Sequence, residues 1–160
     1  MEKSKKIVLF DIDDTLFDTA KFIKTNQSVF TSYPDVEETL AHLKQIAELG
    51  IFSQGDLALQ TTKLNQTDIE HYFSDEHTHI FPDKQLALQE LVKKYSKTKK
   101  VFFVEDRLPL LYVIHKEFPT ASTIWIRTGR YAPTQPAIEG FSPTAVVDNF
   151  PDIIPLIQDS

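Results

Sequence analysis

Cysteine is absent from the 160 residues, so neither a disulfide framework nor a thiolate metal site or nucleophile is available, which suits a reducing compartment. Long apolar runs are absent too, and nothing approaches the roughly 20 residues that a membrane-spanning helix needs. The opening Met1-Glu2-Lys3-Ser4-Lys5-Lys6 leads only into the short apolar stretch Ile7 to Phe10 before acids begin. That stretch is too short for the apolar centre of a signal peptide, so a cytoplasmic location without a membrane partner is expected. Positive charge is also scarce: 17 Lys and Arg against 23 Asp and Glu leave a net charge of -6. A broad electrostatic surface for nucleic acid or anionic lipid is therefore not expected, and a phosphorylated ligand would need a local group of cations.

What is present describes a soluble globular chain: 41% hydrophobic residues, 25% charged residues and a mean hydropathy of -0.24. The length suits one domain, residues 1–160, and no internal repeat or interdomain linker interrupts it. Apolar and β-branched runs alternate with segments of helical period, the order expected of a mainly parallel sheet of five or six strands between two helical layers, a Rossmann-like α/β fold. The strand candidates are Lys6 to Phe10, Leu49 to Ser53, Thr78 to Phe81, Val101 to Glu105 and Ser122 to Arg127, with Ala145 to Val147 as a sixth at an edge. Amphipathic stripes predict helices over Val36 to Glu48 and Lys84 to Tyr95. Weaker patterns predict helices over Thr19 to Phe30, Ala58 to Leu64, Leu108 to Phe118 and Pro151 to Ile157, and Thr128 to Thr144 reads as a loop. His77 and His79 alternate along a strand without a third ligand beside them, so they read as strand-surface residues.

Chemistry concentrates where apolar runs end in acids. Asp11-Ile12-Asp13-Asp14-Thr15 closes the first strand and Glu105-Asp106 closes the fourth, and open parallel sheets bind ligands beyond the carboxyl ends of their strands. Right-handed crossovers put those ends on one edge, where two acidic groups on adjacent strands become neighbours. Carboxylates a few ångströms apart raise one another's pKa unless a cation such as Mg²⁺ offsets them. The plainer alternative is helix capping, by Asp14 or Thr15 before the first helix and by Asp106 before Leu108-Pro109.

Phe10-Asp11-Ile12-Asp13-Asp14-Thr15-Leu16-Phe17 resembles the Asp-x-Asp-x-Thr signature of the haloacid-dehalogenase-like hydrolases. The resemblance implies that Asp11 attacks phosphorus, that Asp13 serves as general acid and then base, and that Mg²⁺ is held by Asp11 and the Asp13 carbonyl. Family dehalogenases lack the second aspartate, so Asp13 favours phosphate chemistry. Ser53 in Ile51-Phe52-Ser53-Gln54-Gly55 resembles the second element of the family, with Gln54 and Gly55 beside it for a phosphoryl group; an ordinary turn is the alternative. Lys84 resembles the third element, a cation for the nucleophile and the transferring phosphoryl group; a solvated lysine is the alternative, and Lys93, Lys94, Lys99 and Lys100 are the competing cations. Glu105-Asp106 resembles the fourth and departs from the usual Asp-Asp or Gly-Asp: Asp106 is implied as a direct metal ligand, and Glu105 as a ligand either directly or through water.

Relatives draw specificity from cap insertions, and here only a short segment, 18–34, is available for one. In this family an almost capless, open site goes with macromolecular substrates or with a lid from a second subunit in a homo-oligomer, so the expected partner is a phosphorylated small molecule or a phosphorylated macromolecule. Arg127 and Arg130 in Arg127-Thr128-Gly129-Arg130-Tyr131 are candidates for a distal anion of the substrate; pairing with nearby acids is the alternative. The rival functions are a non-catalytic metal- or phosphate-binding regulatory module, a phosphoacceptor receiver and a phosphotransferase. Asp11 and Asp13 speak against the first, and Ser53 stands where a receiver would carry its phosphorylated aspartate.

Overall fold

The structure, a computed structural model, describes residues 5–160. Six strands, β1 (Lys6–Phe10), β2 (Glu48–Gln54), β3 (Thr78–Phe81), β4 (Lys100–Glu105), β5 (Ser122–Ile126) and β6 (Ala145–Val147), form one parallel sheet in the order β3-β2-β1-β4-β5-β6. The helices are α1 (Thr19–Lys24), α2 (Val36–Leu43), α3 (Leu57–Gln66), α4 (Lys84–Tyr95), α5 (Leu108–Glu117) and α6 (Ile153–Gln158). This is the expected Rossmann-like architecture. The chain steps outward from β1 to β3, then crosses back to β4 and steps the other way. The strand order therefore reverses between β1 and β4, the crevice where such sheets bind ligands.

Strand periodicity divides the core. On β1, Val8 and Phe10 face one layer with Leu40, Leu43, Leu64 and Ile153. Ile7 and Leu9 face the other, with Leu88, Leu91, Leu111 and Ile114. Successive side chains of a strand point to opposite faces, so a strand covered on both sides must be apolar throughout. Burying each such Leu, Ile or Phe contributes about 1.5–3 kcal/mol, and this central strand anchors the acids that follow it.

Two helices are shorter than their apolar pattern predicts. The segment after Leu43 leaves the helix for turns, and Glu48 opens β2 opposite Ile7, so pairing with the central strand takes residues that the helical stripe would have claimed. The helix predicted to reach Phe30 stops at Lys24 because Asn26 and Gln27 adopt φ of 56° and 63°, a left-handed region that ends a right-handed helix. Phe30 then folds back onto Phe17 and Phe22, with ring centroids 6.1 and 5.0 Å apart. Ala145–Val147 is the edge strand.

The histidines depart from a strand-surface role. His77 lies in the turn before β3 and is buried. Its Nδ1 meets the Tyr95 hydroxyl at 2.8 Å and its Nε2 meets Glu48 at 2.6 Å, while His79 Nε2 reaches the same hydroxyl at 2.7 Å. Gly50 makes room for this cluster, since a Cβ there would lie 2.2 Å from the His77 carbonyl oxygen.

Two outcomes follow. Gly50→Ala must push β2 from the His77 turn and should lower stability by about 1–3 kcal/mol, read as a fall in the midpoint of thermal or urea unfolding. Burial, with Lys94 and His77 adding, pushes His79 down from 6.5 to about 4, so the unfolded chain binds the proton more readily than the folded one. Stability is then fully present above about 6.5 and falls as pH drops from there towards about 4. Urea unfolding across that window should show His79→Asn losing less stability than wild type on acidification.

Candidate active site

Ile12 and Leu16, both completely buried, pin the turn after β1 into the core. The N–H groups of Leu16 and Phe17 both donate to the Ile12 carbonyl at 2.9 Å. The backbone between these anchors lies at the sheet edge, where Asp11 and Asp13 meet the cleft. Asp11 remains tied to the sheet through its N–H, which donates to the Val104 carbonyl at 3.0 Å. β4 thus brings Glu105 and Asp106 alongside.

Lys84, from the first turn of α4, donates to Asp11 Oδ1 at 2.9 Å, to Glu105 Oε2 at 2.7 Å and to the Phe52 carbonyl at 3.3 Å. All of these side chains are buried. Asp11, Glu105 and Asp106 each offer a carboxylate oxygen within 4.8 Å of the others. Like charges about 5 Å apart repel by about 3 kcal/mol at an effective dielectric near 20. Lys84 offsets this for Asp11 and Glu105 but makes no ion pair with Asp106. Burial, then the charge of Glu105, raises the pKa of both Asp11 and Asp106, and Lys84 pulls Asp11 back. Lys84 is itself opposed by burial, yet Asp11 and Glu105 outweigh that and hold its pKa above the ordinary value.

The donor set fits a hard divalent cation. Asp106 Oδ2 is buried and has no hydrogen-bond partner among the described residues, whereas Glu105 is occupied at both oxygens, by Lys84 and by the Arg107 N–H at 3.2 Å. An orphaned carboxylate oxygen beside two further acids is what an oxygen-liganded ion such as Mg²⁺ requires. Thr15 supports the cluster, its hydroxyl lying 3.4 Å from Asp11 Oδ2 and 3.3 Å from Asp106 Oδ1.

Asp13 has a separate set of partners. Its Oδ1 accepts from Lys63 Nζ at 2.8 Å and from the Thr19 hydroxyl at 3.2 Å, and its Oδ2 accepts from Gln60 Nε2 at 3.3 Å. The same Gln60 amide reaches Ser53 Oγ at 3.0 Å, so one residue of α3 joins Asp13 to Ser53.

Asp11, Asp13, Gln54, Lys84, Glu105, Asp106 and Arg130 line one cleft of about 420 Å³. Ser53 is buried behind Gln60, and Gly55 directs its N–H to the Phe81 carbonyl at 2.9 Å. Arg127 is not brought to the cleft: its guanidinium pairs with Asp148 at 2.6 and 2.9 Å beyond β6. Arg130 reaches the cleft wall but is clasped by Asp14, with Nη2 2.8 Å from Oδ2 and Nε 3.2 Å from Oδ1. Gly129, at φ 73°, has no space for a Cβ, which would lie 2.5 Å from Asp14. The capping alternatives give way as well. Asp18 caps α1 through the Lys21 N–H at 3.0 Å, Asp14 serves the Arg130 loop, and the Leu108 N–H at the start of α5 is taken by Gln135 Oε1 at 2.7 Å.

No protein-family model matches the sequence, and no curated protein does. Solved structures do. A haloacid-dehalogenase-like hydrolase of Burkholderia xenovorans aligns over 98% of each chain at 17% identity with a TM-score of 0.79. The magnesium-bound HAD-hydrolase YfnB of Bacillus subtilis aligns over 97% of this chain and 99% of its own, at 11% identity and 0.75. A protein described as a predicted phosphoglycolate phosphatase of Haemophilus somnus aligns over 96% and 98%, at 15% identity and 0.71. The chain has the fold of the haloacid-dehalogenase-like hydrolases. L-2-haloacid dehalogenases share this haloacid-dehalogenase-like fold, so the fold does not choose between carbon–halogen and phosphate-ester chemistry.

Within this haloacid-dehalogenase-like scaffold, Gln60 and Lys63 escaped the sequence reading. Their signal is positional: with Leu64 they occupy positions three and four apart, one stripe of α3, and all three are buried. Two polar residues on a buried stripe must have polar partners.

The orphaned oxygen yields a prediction. In EDTA, Asp106→Asn should melt above wild type because it removes an acid whose carboxylate form burial and then Glu105 disfavour in the folded protein. Addition of Mg²⁺ should raise the melting temperature of wild type, by the equivalent of about 2.7 kcal/mol at a hundredfold excess over Kd, and should leave Asp106→Asn nearly unmoved. Calorimetric melts with and without Mg²⁺ provide the check.

Proposed function

We propose that the chain is a Mg²⁺-dependent phosphatase that hydrolyses a phosphate monoester through an aspartyl-phosphate on Asp11. The observation that carries this reading is the buried Asp11, Glu105 and Asp106 cluster with its unpartnered Asp106 oxygen, because such a set needs a cation, and phosphoryl transfer gains most from one. Displacement of halide from a 2-haloacid has no comparable use for an acid-rich metal site, which would repel the substrate's own carboxylate.

In this reading Asp11, Asp106 and the Asp13 carbonyl hold Mg²⁺, with Glu105 holding Lys84 and reaching the ion at most through water. Bound there, the ion would neutralise the acids and draw charge from the phosphoryl oxygens. Lys84 fixes the Asp11 carboxylate and places a positive charge beside the phosphoryl group. A carboxylate oxygen of Asp11 attacks phosphorus as the bond to the leaving oxygen breaks, and Asp13 gives that oxygen its proton. Asp13, now ionised, takes a proton from a water that attacks phosphorus, releasing inorganic phosphate and restoring Asp11. Lys63 and Thr19 hold Asp13 Oδ1, leaving Oδ2, with only the Gln60 amide at 3.3 Å, to face the leaving group. Ser53, which accepts from the Gln60 amide, keeps its hydroxyl proton to donate to a phosphoryl oxygen. Residues 1–160 act as one hydrolase domain with 18–34 as its short cap, in a cytoplasmic setting. No helix among the described residues is long and apolar enough to cross a membrane.

The test is phosphate release from para-nitrophenyl phosphate with Mg²⁺ and with EDTA, for wild type, Asp11→Asn and Asp13→Asn. Turnover that requires Mg²⁺, vanishes in Asp11→Asn and falls by about 10²–10⁴-fold in Asp13→Asn is expected, the size typical of a lost general acid–base. Folded wild type that binds Mg²⁺ and releases no phosphate from any monoester would point to a non-catalytic binding module instead.

A further inference from the structure

The cleft holds three cations, and two are already paired. Lys84 serves Asp11 and Glu105, and Arg130 serves Asp14. Arg107 differs: among the described residues no carboxylate lies within ion-pair distance of its guanidinium. It is exposed, lines the cleft and rests on the Tyr131 ring, with its guanidinium carbon 5.1 Å from the ring centroid.

This placement is built rather than incidental. Arg107 directly follows Glu105-Asp106, and its N–H is fixed to Glu105 Oε1. The loop that supplies Tyr131 is fastened to the same turn by Gln135, whose amide donates to the Asp106 carbonyl at 2.8 Å and accepts from the Leu108 N–H at 2.7 Å. Trp125 Nε1 donates to the same carbonyl at 3.0 Å. A guanidinium stacked on an aromatic ring is pre-oriented, and its planar donors match a carboxylate or phosphate. Leu110 and Val113 of α5 supply an apolar wall beside it, suited to a short carbon skeleton.

We propose that Arg107, seated on Tyr131, binds a second anionic group of the substrate, so that the natural substrate is a small phosphate monoester that also carries a carboxylate or another phosphate. This deepens the phosphatase reading and rests on it for the position of the phosphoryl group. The remainder of the cleft is rich in acids, and among the described residues that line it Arg107 is the cation without an acidic partner. An ester without a second anionic group would leave that cation unused.

The experiment is isothermal titration of wild type, Arg107→Gln and Arg107→Lys, in excess Mg²⁺, with three non-hydrolysable probes: propylphosphonate, 3-phosphonopropionate and propane-1,3-bisphosphonate. Wild type should bind one of the doubly anionic probes about tenfold or more tighter than propylphosphonate, as a charge-assisted contact would give. The better of the two tells carboxylate from phosphate. Arg107→Gln should erase the preference, and Arg107→Lys should keep part of it. Equal binding of all three by wild type, or a preference that survives in Arg107→Gln, overturns the proposal. In parallel, kcat/KM for 3-phosphoglycerate over glycerol 3-phosphate should fall about tenfold in Arg107→Gln, mostly through KM. Because binding is read without turnover, a protein that hydrolyses nothing yet prefers the double anion loses the phosphatase reading and keeps the Arg107 site. One that hydrolyses monoesters without that preference loses the Arg107 site alone.

Discussion

The contact on which the rest depends is the Lys84 ammonium held between Asp11 and Glu105 at the carboxyl ends of β1 and β4. Three acids and one lysine are taken out of water there, each desolvation costing several kcal/mol. Such a group persists only where the surrounding structure leaves it no alternative. The sheet provides that constraint: β1 and β4 are neighbours and their ends coincide, so the acids must meet. Lys84 arrives from α4, whose first turn follows β3 on the far side of β2, and its side chain spans β2 to reach them, touching the Phe52 carbonyl and lying 5.3 Å from the Phe52 ring centroid on the way. The site therefore ties together the strands on either side of the point where the sheet reverses.

Neutralisation remains incomplete. One lysine among three carboxylates is too little to balance them, and the deficit falls on Asp106, the acid without a lysine contact, with an oxygen unpartnered among the described residues and a pKa that burial and then Glu105 raise. Replacing Asp106 by an apolar residue would relieve that repulsion. The retained acid makes physical sense as part of a site completed by a cation, and in the proposed mechanism the same electrostatic deficit that weakens the apo fold is what binds Mg²⁺. Stability and function are set against each other at this one residue.

Much of this was legible in the sequence because it depends on strand ends. An apolar run closing in an acid declares both the strand and the edge at which its acid lies, which is why β1 with Asp11 and β4 with Glu105 and Asp106 could be read directly. Lys84 was legible by its place after β3. Contacts set by the rotation of a helix or the path of a loop were not. Gln60 and Lys63 reach Asp13 only because α3 turns that stripe inward, and Gln135 staples the Pro-rich loop through a side chain whose partner lies 29 positions away. For the same reason the sequence left Arg127 open between a substrate anion and a nearby acid, and the structure shows the acid. It follows the last residue of β5, but the adjacent edge strand β6 ends beside it and presents Asp148, 21 residues on, so the guanidinium turns outward to the nearer charge.

Helix α3 then acquires a role that its modest amphipathicity hides. The Gln60 amide bridges Ser53 and Asp13, and Lys63 holds Asp13 from the other side while lying over the Phe17 and Phe22 rings at 5.3 and 5.4 Å. Phe22 belongs to α1, in the short 18–34 segment, so the segment available as a cap is packed onto the cation that orients the proposed acid–base. The segment thus touches Lys63, and Lys63 touches Asp13. In the proposed mechanism this packing links the 18–34 segment to the acid–base residue through one lysine and two aromatic rings.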